Sequence, residues 1–140
     1  MKQWGCVALL AAFAFAASAG EPRAEVLSPY DVLPGQWGWS SAECKRMPAK
    51  ISFAKGGKRM HVRHPADLEG PIEIKLTSYT VTGRSGNALA MRMDNEDRRD
   101  DAGNLVAWEA VILDRDSYCW RRSDWKPGGC TKPLTRCPSS

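Results

Sequence analysis

Ile51-Ser52-Phe53-Ala54-Lys55-Gly56-Gly57-Lys58-Arg59-Met60-His61-Val62-Arg63-His64 is the stretch that decides the fold class. Ile51 and Phe53 alternate with polar or small residues, which places both on one face of an extended chain. Gly56-Gly57 supplies a turn, and Lys58 to His64 returns as a second strand, the signature of a β-hairpin. The period of two recurs downstream. Ile72, Ile74 and Leu76 share one face while Tyr79 and Val81 take the other, so a bulge near Thr77-Ser78 is expected to reconcile them. Leu89, Met91 and Met93 alternate in the next run. Leu105 to Leu113 is apolar at nearly every position, with Val106, Trp108, Ala110 and Ile112 in one parity, and Ser117 to Arg122 is the last strand. Turns at Ser85-Gly86-Asn87 and Asp114-Arg115-Asp116 separate these runs, and Asp94 to Asn104 forms a long polar hairpin loop.

Upstream, Gln36 to Ser40 reads as a short strand that carries Trp37 and Trp39 on one face. Ser28-Pro29 opens a helical turn that Pro34-Gly35 ends, and Ser40 with Glu43 makes a capping box for one turn holding Cys44. No segment longer than about ten residues shows helical periodicity. The predicted fold is therefore all-β, an antiparallel up-and-down barrel of seven to eight short strands, because closure removes exposed strand edges. The expected organisation is a signal peptide over residues 1–19, a tether and short helical turn over 20–34, the barrel over 35–125 and a disulfide-held tail over 126–140.

Lys2, the apolar run Cys6 to Ala17 and the small residues Ala17-Ser18-Ala19 form the pattern of an export signal. The mature chain is thus expected to be soluble, not membrane-spanning, and periplasmic or secreted. It keeps Cys44, Cys119, Cys130 and Cys137, an even number in an exported chain, which points to two disulfides with three possible pairings. No C-x-x-C occurs, which argues against a zinc site or a redox thiol pair. The formal charge of +4 at pH 7 is too small to drive nucleic-acid binding by net charge, and no aromatic residues interleave with the bases in a stacking pattern.

Few residues suggest catalysis. His61 and His64 lie an odd number apart, on opposite faces of a strand, so they do not form a metal pair. Asp94 to Asp101 is rich in carboxylates, but Arg98 and Arg99 intrude where a calcium loop needs oxygen ligands and a glycine. No G-x-S-x-G elbow appears. No enzyme activity, cofactor or metal is expected. Two surfaces carry charge instead. Lys50, Lys55, Lys58, Arg59 and Arg63 fall on one hairpin and are expected to form a basic patch for an anionic envelope component. Asp97, Asp100 and Asp101 would present an acidic interaction loop to a protein partner.

Tyr30-Asp31-Val32-Leu33-Pro34-Gly35-Gln36-Trp37, a helical turn running into G-x-W on the first strand, resembles the opening of lipocalins and other calycin-type barrels, among them the small exported lipocalin-like domains of bacteria. The resemblance implies that Gly35 and Trp37 close the barrel floor and that an arginine near the end of the last strand, Arg121 or Arg122, packs across the indole, a contact worth about 1 kcal/mol. In such a barrel the first and last strands zip together antiparallel. Cys44 is then expected to meet Cys119, leaving Cys130 with Cys137, in preference to Cys44 with Cys137 and Cys119 with Cys130. Trp108, Met91 and Met93 would shape the interior. The expected function is a noncatalytic exported binding module that takes a small apolar ligand in the barrel mouth or an envelope component on its basic surface. The alternative is a protein-interaction domain such as an inhibitor of a cell-wall or secreted hydrolase.

Overall fold

The computed structural model describes residue 20 and residues 25–67 and 69–139; the segment read as a signal peptide lies outside them. Eight strands form one closed barrel in which each pairs antiparallel with its sequence neighbour and the last pairs with the first. They are β1 (Gly35–Gly38), β2 (Ala49–Ala54), β3 (Arg59–Pro65), β4 (Ile74–Ser85), β5 (Ala88–Met93), β6 (Trp108–Asp114), β7 (Ser117–Arg122) and β8 (Leu134–Arg136). Two short helices, α1 (Pro29–Val32) and α2 (Ser41–Arg46), flank β1. The expected all-β up-and-down barrel is the architecture found.

Alternation builds the interior. Ile51, Met60, Leu89, Met91, Ile112 and Tyr118 are all fully buried, while the residues beside Ile51, Met60, Met91 and Ile112 are more exposed than they are. The floor of the barrel is made by α1 and the start of β1. Trp37 is fully buried, its Nε1 donates to Leu33 O at 2.8 Å, and its ring meets Tyr118 edge-on at 4.8 Å. Tyr30 donates its hydroxyl to Gly57 O at 3.2 Å, which lays α1 against the β2–β3 turn. That approach requires glycine: residue 57 has φ +85, and a Cβ there would lie 2.8 Å from the Tyr30 ring.

Several expectations are corrected here. The barrel is not sealed by zipping β1 to β7, because β8, from the segment expected to be an irregular tail, is inserted between them: Trp37 pairs with Arg136 and Gly38 with Thr135 on one side, and Tyr118 with Leu134 on the other. The disulfide pairing changes for the same reason. Chain leaving β8 meets α2, so Cys44 bonds Cys137, and Cys119 bonds Cys130. The arginine over Trp37 is Arg136, with its guanidinium carbon 4.4 Å from the ring centroid, not Arg121 or Arg122. Arg136 also donates to the Val32 and Pro34 carbonyls, and Gly35 makes room for it, since a Cβ there would stand 2.9 Å from Arg136 Nη1. Arg121 instead pairs with Glu109 and Arg122 with Asp124. Finally, β4 runs unbroken against β3 from Ile74 to Thr80, and its bulge lies between Val81 and Gly83. Tyr79 therefore points inward, and Ile74 and Leu76 face solvent.

Candidate functional site

The end of the barrel opposite α1 is open. There the close of β1, the start of β2, the close of β3 and the starts of β4 and β6 surround a cavity of about 330 Å³. Its walls are aromatic: Trp39, Trp108, Trp120, Trp125, Tyr79 and Tyr118. Ala49, Val62, Pro65 and Leu134 complete the apolar lining, and Glu43, His64, Thr77 and Thr131 supply the polar atoms.

Local sequence fixes each wall. Ser40 caps α2 by accepting from Glu43 N at 3.2 Å, and Glu43 Oε2 in turn accepts from Trp39 N at 2.7 Å. This is the capping box read from the sequence, reaching one residue further back. It holds the Glu43 carboxylate at the cavity. The Cys44–Cys137 bond then clamps α2 to the barrel, and Gly38 admits it, because a Cβ at that position would lie 2.7 Å from Cys44 Sγ. Opposite, the β7–β8 connection is closed by Cys119–Cys130 and pinned by Thr131 N to Trp120 O at 2.9 Å and Trp120 N to Thr131 Oγ1 at 3.0 Å. That loop brings Trp125 to the rim, where it remains 36% exposed. His64 has both ring nitrogens engaged, one with Pro65 O and one with Thr77 Oγ1, each at 2.9 Å.

A chain of cations and indoles stiffens the rim. Arg98 and Arg122 lie over Trp108 at 5.5 and 5.4 Å, and Arg122 also lies over Trp125 at 5.5 Å. Each guanidinium has its own acid, Glu96 for Arg98 and Asp124 for Arg122. Glu96 is the pivot: its side chain is 1% exposed, and it accepts from the Arg98 side chain and backbone and from Trp108 Nε1 at 2.9 Å. The hydrogen bonds from Arg98, together with that from Trp108, hold its carboxyl at about 2, against the opposing effect of burial. Burial, reinforced by the charge of Glu96, raises the Tyr79 phenol to about 12. Tyr118 is pushed well above the ordinary phenol range by burial; a hydrogen bond from Trp120 acts the other way, and the charge of Glu43 adds to the rise.

The sign for Glu96 follows from its depressed value. Because the folded carboxylate binds its proton less readily than the unfolded one, the contribution is present above about 4.5 and is lost as pH falls toward about 2. Glu96→Gln is therefore expected to cost about 2 kcal/mol at neutral pH, the full shift being discounted for the exposed Arg98 partner. Urea midpoints of the two proteins should converge as pH approaches the folded value. A difference that stays constant from neutral to acid would refute this role.

The residues singled out from the sequence are distributed unevenly around this site. Of the interior candidates Trp108 reaches the cavity, whereas Met91 is wholly inside the core and Met93 packs at its edge. The basic residues are spread along one hairpin. Lys50 and Arg63 face each other across β2 and β3, but Arg59 is tied to Asp94 and Thr80, and Lys55 and Lys58 flank the turn at the closed end. In the acidic loop Asp97 and Asp101 are exposed, while Asp100 is spent on the loop's own backbone, accepting from Ala102 N and Asn104 N. Among the described residues no three His, Cys, Asp or Glu side chains gather as metal ligands. Glu43, Glu96, Tyr79 and Arg136 were not singled out. The capping box pointed to Glu43, and nothing in the charge-rich loop distinguishes Glu96 from its neighbours.

Comparison with protein-family models, with curated proteins and with solved structures finds no match for this chain.

Proposed function

We propose that this chain is a noncatalytic binding module that takes one small, largely apolar ligand in the open mouth of its barrel. The observation that carries the reading is the aromatic cavity of about 330 Å³, a volume within the range of small-molecule sites, roughly 300–1,000 Å³. The rest of the barrel is filled with side chains, as expected of eight strands, which hold at most one small ligand. The polar atoms around the mouth are few and largely committed to one another, an arrangement that orients a ligand without attacking it. Two disulfides fit an oxidising compartment, and we place the protein in the periplasm or outside the cell. Among the described residues no helix is long and apolar enough to cross a membrane.

The neutral fluorophore N-phenylnaphthylamine tests this. Its emission should rise saturably at one probe per chain, and Trp125→Ala, which removes an exposed wall, should weaken binding about tenfold with little change in thermal unfolding. Absence of saturable binding of this probe and of small amphiphilic cations alike, or full affinity in the variant, would overturn the reading. The acidic loop favours a second reading, a protein-interaction domain. It is anchored by Glu96 and by pairing of Arg99 with Leu105, so Asp97 and Asp101 are held ready for a basic cleft at little entropic cost. Tight inhibition of a basic secreted hydrolase by a protein whose mouth takes no probe would favour it.

A further inference from the structure

We infer that the mouth selects a small organic cation, a quaternary or alkylated ammonium, held between the aromatic walls and the Glu43 carboxylate. This rests on the mouth being a ligand site and adds the chemistry of what enters it. Three observations converge. First, four tryptophans and two tyrosines line the cavity, and the face of an aromatic ring is the negative end of its quadrupole, so Trp and Tyr walls attract a positive charge that has shed water. The chain demonstrates this itself: its own Arg98 and Arg122 lie over the faces of Trp108 and Trp125 at the rim.

Second, among the described residues Glu43 is the one acidic side chain on the cavity wall, and no lysine or arginine lines it. The two nearby guanidiniums are each neutralised by a paired acid, Glu96 and Asp124. The net charge offered to a ligand is therefore that of Glu43. Its Oε2 is fixed by Trp39 N at 2.7 Å. Third, the Glu43 carboxylate and the Tyr118 phenol line the same cavity, where burial raises the phenol and the charge of Glu43 adds to the rise. An anion would meet Glu43 with nothing to balance it. A neutral apolar molecule would leave the carboxylate half desolvated without a partner, which costs free energy. An alkylammonium meets both requirements, its methyl groups against indole faces and its charge toward Glu43.

Choline and its neutral carbon isostere, in which a quaternary carbon replaces the nitrogen, separate charge from shape. Calorimetry on the wild-type protein should show choline binding at least about tenfold more tightly than the isostere. In Glu43→Gln, which keeps an acceptor for Trp39 N, most of that preference should disappear while the isostere binds as before. Equal affinities in the wild type, or an unchanged preference in Glu43→Gln with native circular dichroism, would overturn the inference and leave the mouth reading standing. Binding of N-phenylnaphthylamine without choline would do the same. Failure of all three probes would remove both.

Discussion

Trp37→Ala is expected to lower the unfolding free energy by about 4 kcal/mol, near the upper end of the range for large-to-small core substitutions. Three losses coincide at this residue. The substitution empties a site with no exposure, at the centre of the barrel floor. It orphans the Leu33 carbonyl that now receives Trp37 Nε1, and it removes the ring beneath Arg136 and beside Tyr118. The surroundings have little freedom to collapse, because Arg136 is already held by the Val32 and Pro34 carbonyls. Denaturant unfolding followed by circular dichroism measures the loss. A cost below about 2 kcal/mol would mean that the floor repacks around the void, contrary to the close-packed arrangement described.

Removing the Cys44–Cys137 bond by a double serine substitution should cost about 4–5 kcal/mol, and removing Cys119–Cys130 about 3 kcal/mol, in the chain-entropy model. The contrast comes from loop length: the first bond spans 93 residues and the second 11. The two variants should also fail differently. Loss of the long-range bond frees both α2 and the end of β8, so ring closure and the placement of Glu43 suffer together. Loss of the local bond releases the loop that carries Trp125 and is expected to weaken ligand binding more than it weakens the barrel. Peptide mapping under nonreducing conditions should recover the two pairings directly, and equal stabilities of the two double variants would contradict this account.

Much of the barrel could be read from the chain because strands at hairpin spacing announce themselves locally. Ile51 to His64, Leu89 to Met93 and Ser117 to Arg122 carry period-two patterns bounded by turn residues; the first is a pair of strands and the other two are one strand each, at nearly the expected positions. β8 leaves no local signal because three residues, Leu134–Arg136, are too few to show a period, and two prolines nearby suggest irregular chain. That single omission carried through to the closing strand pair, the arginine over Trp37 and both disulfides, since all three depend on which strand borders β1. At the start of β4 the apolar residues Ile74 and Leu76, with Ile72 just before it, imitate a core face, yet the parity is set by Tyr79 and by pairing with β3. The mouth was only partly legible. Its tryptophans could be counted, but their convergence with Glu43 and Tyr79 comes from strands far apart in sequence.

The placement of β8 also governs the order in which the molecule can be completed. A chain emerging amino end first forms its successive hairpins early, from contacts between near neighbours, but β1 and β7 each keep one unpaired border until residues 134–136 arrive. Joining partners so remote in sequence is slow relative to local pairing, and open borders invite association with other chains. The nascent protein therefore remains vulnerable until residues 134–136 are free to pair, and a chain stalled before them lacks the piece that ends that vulnerability.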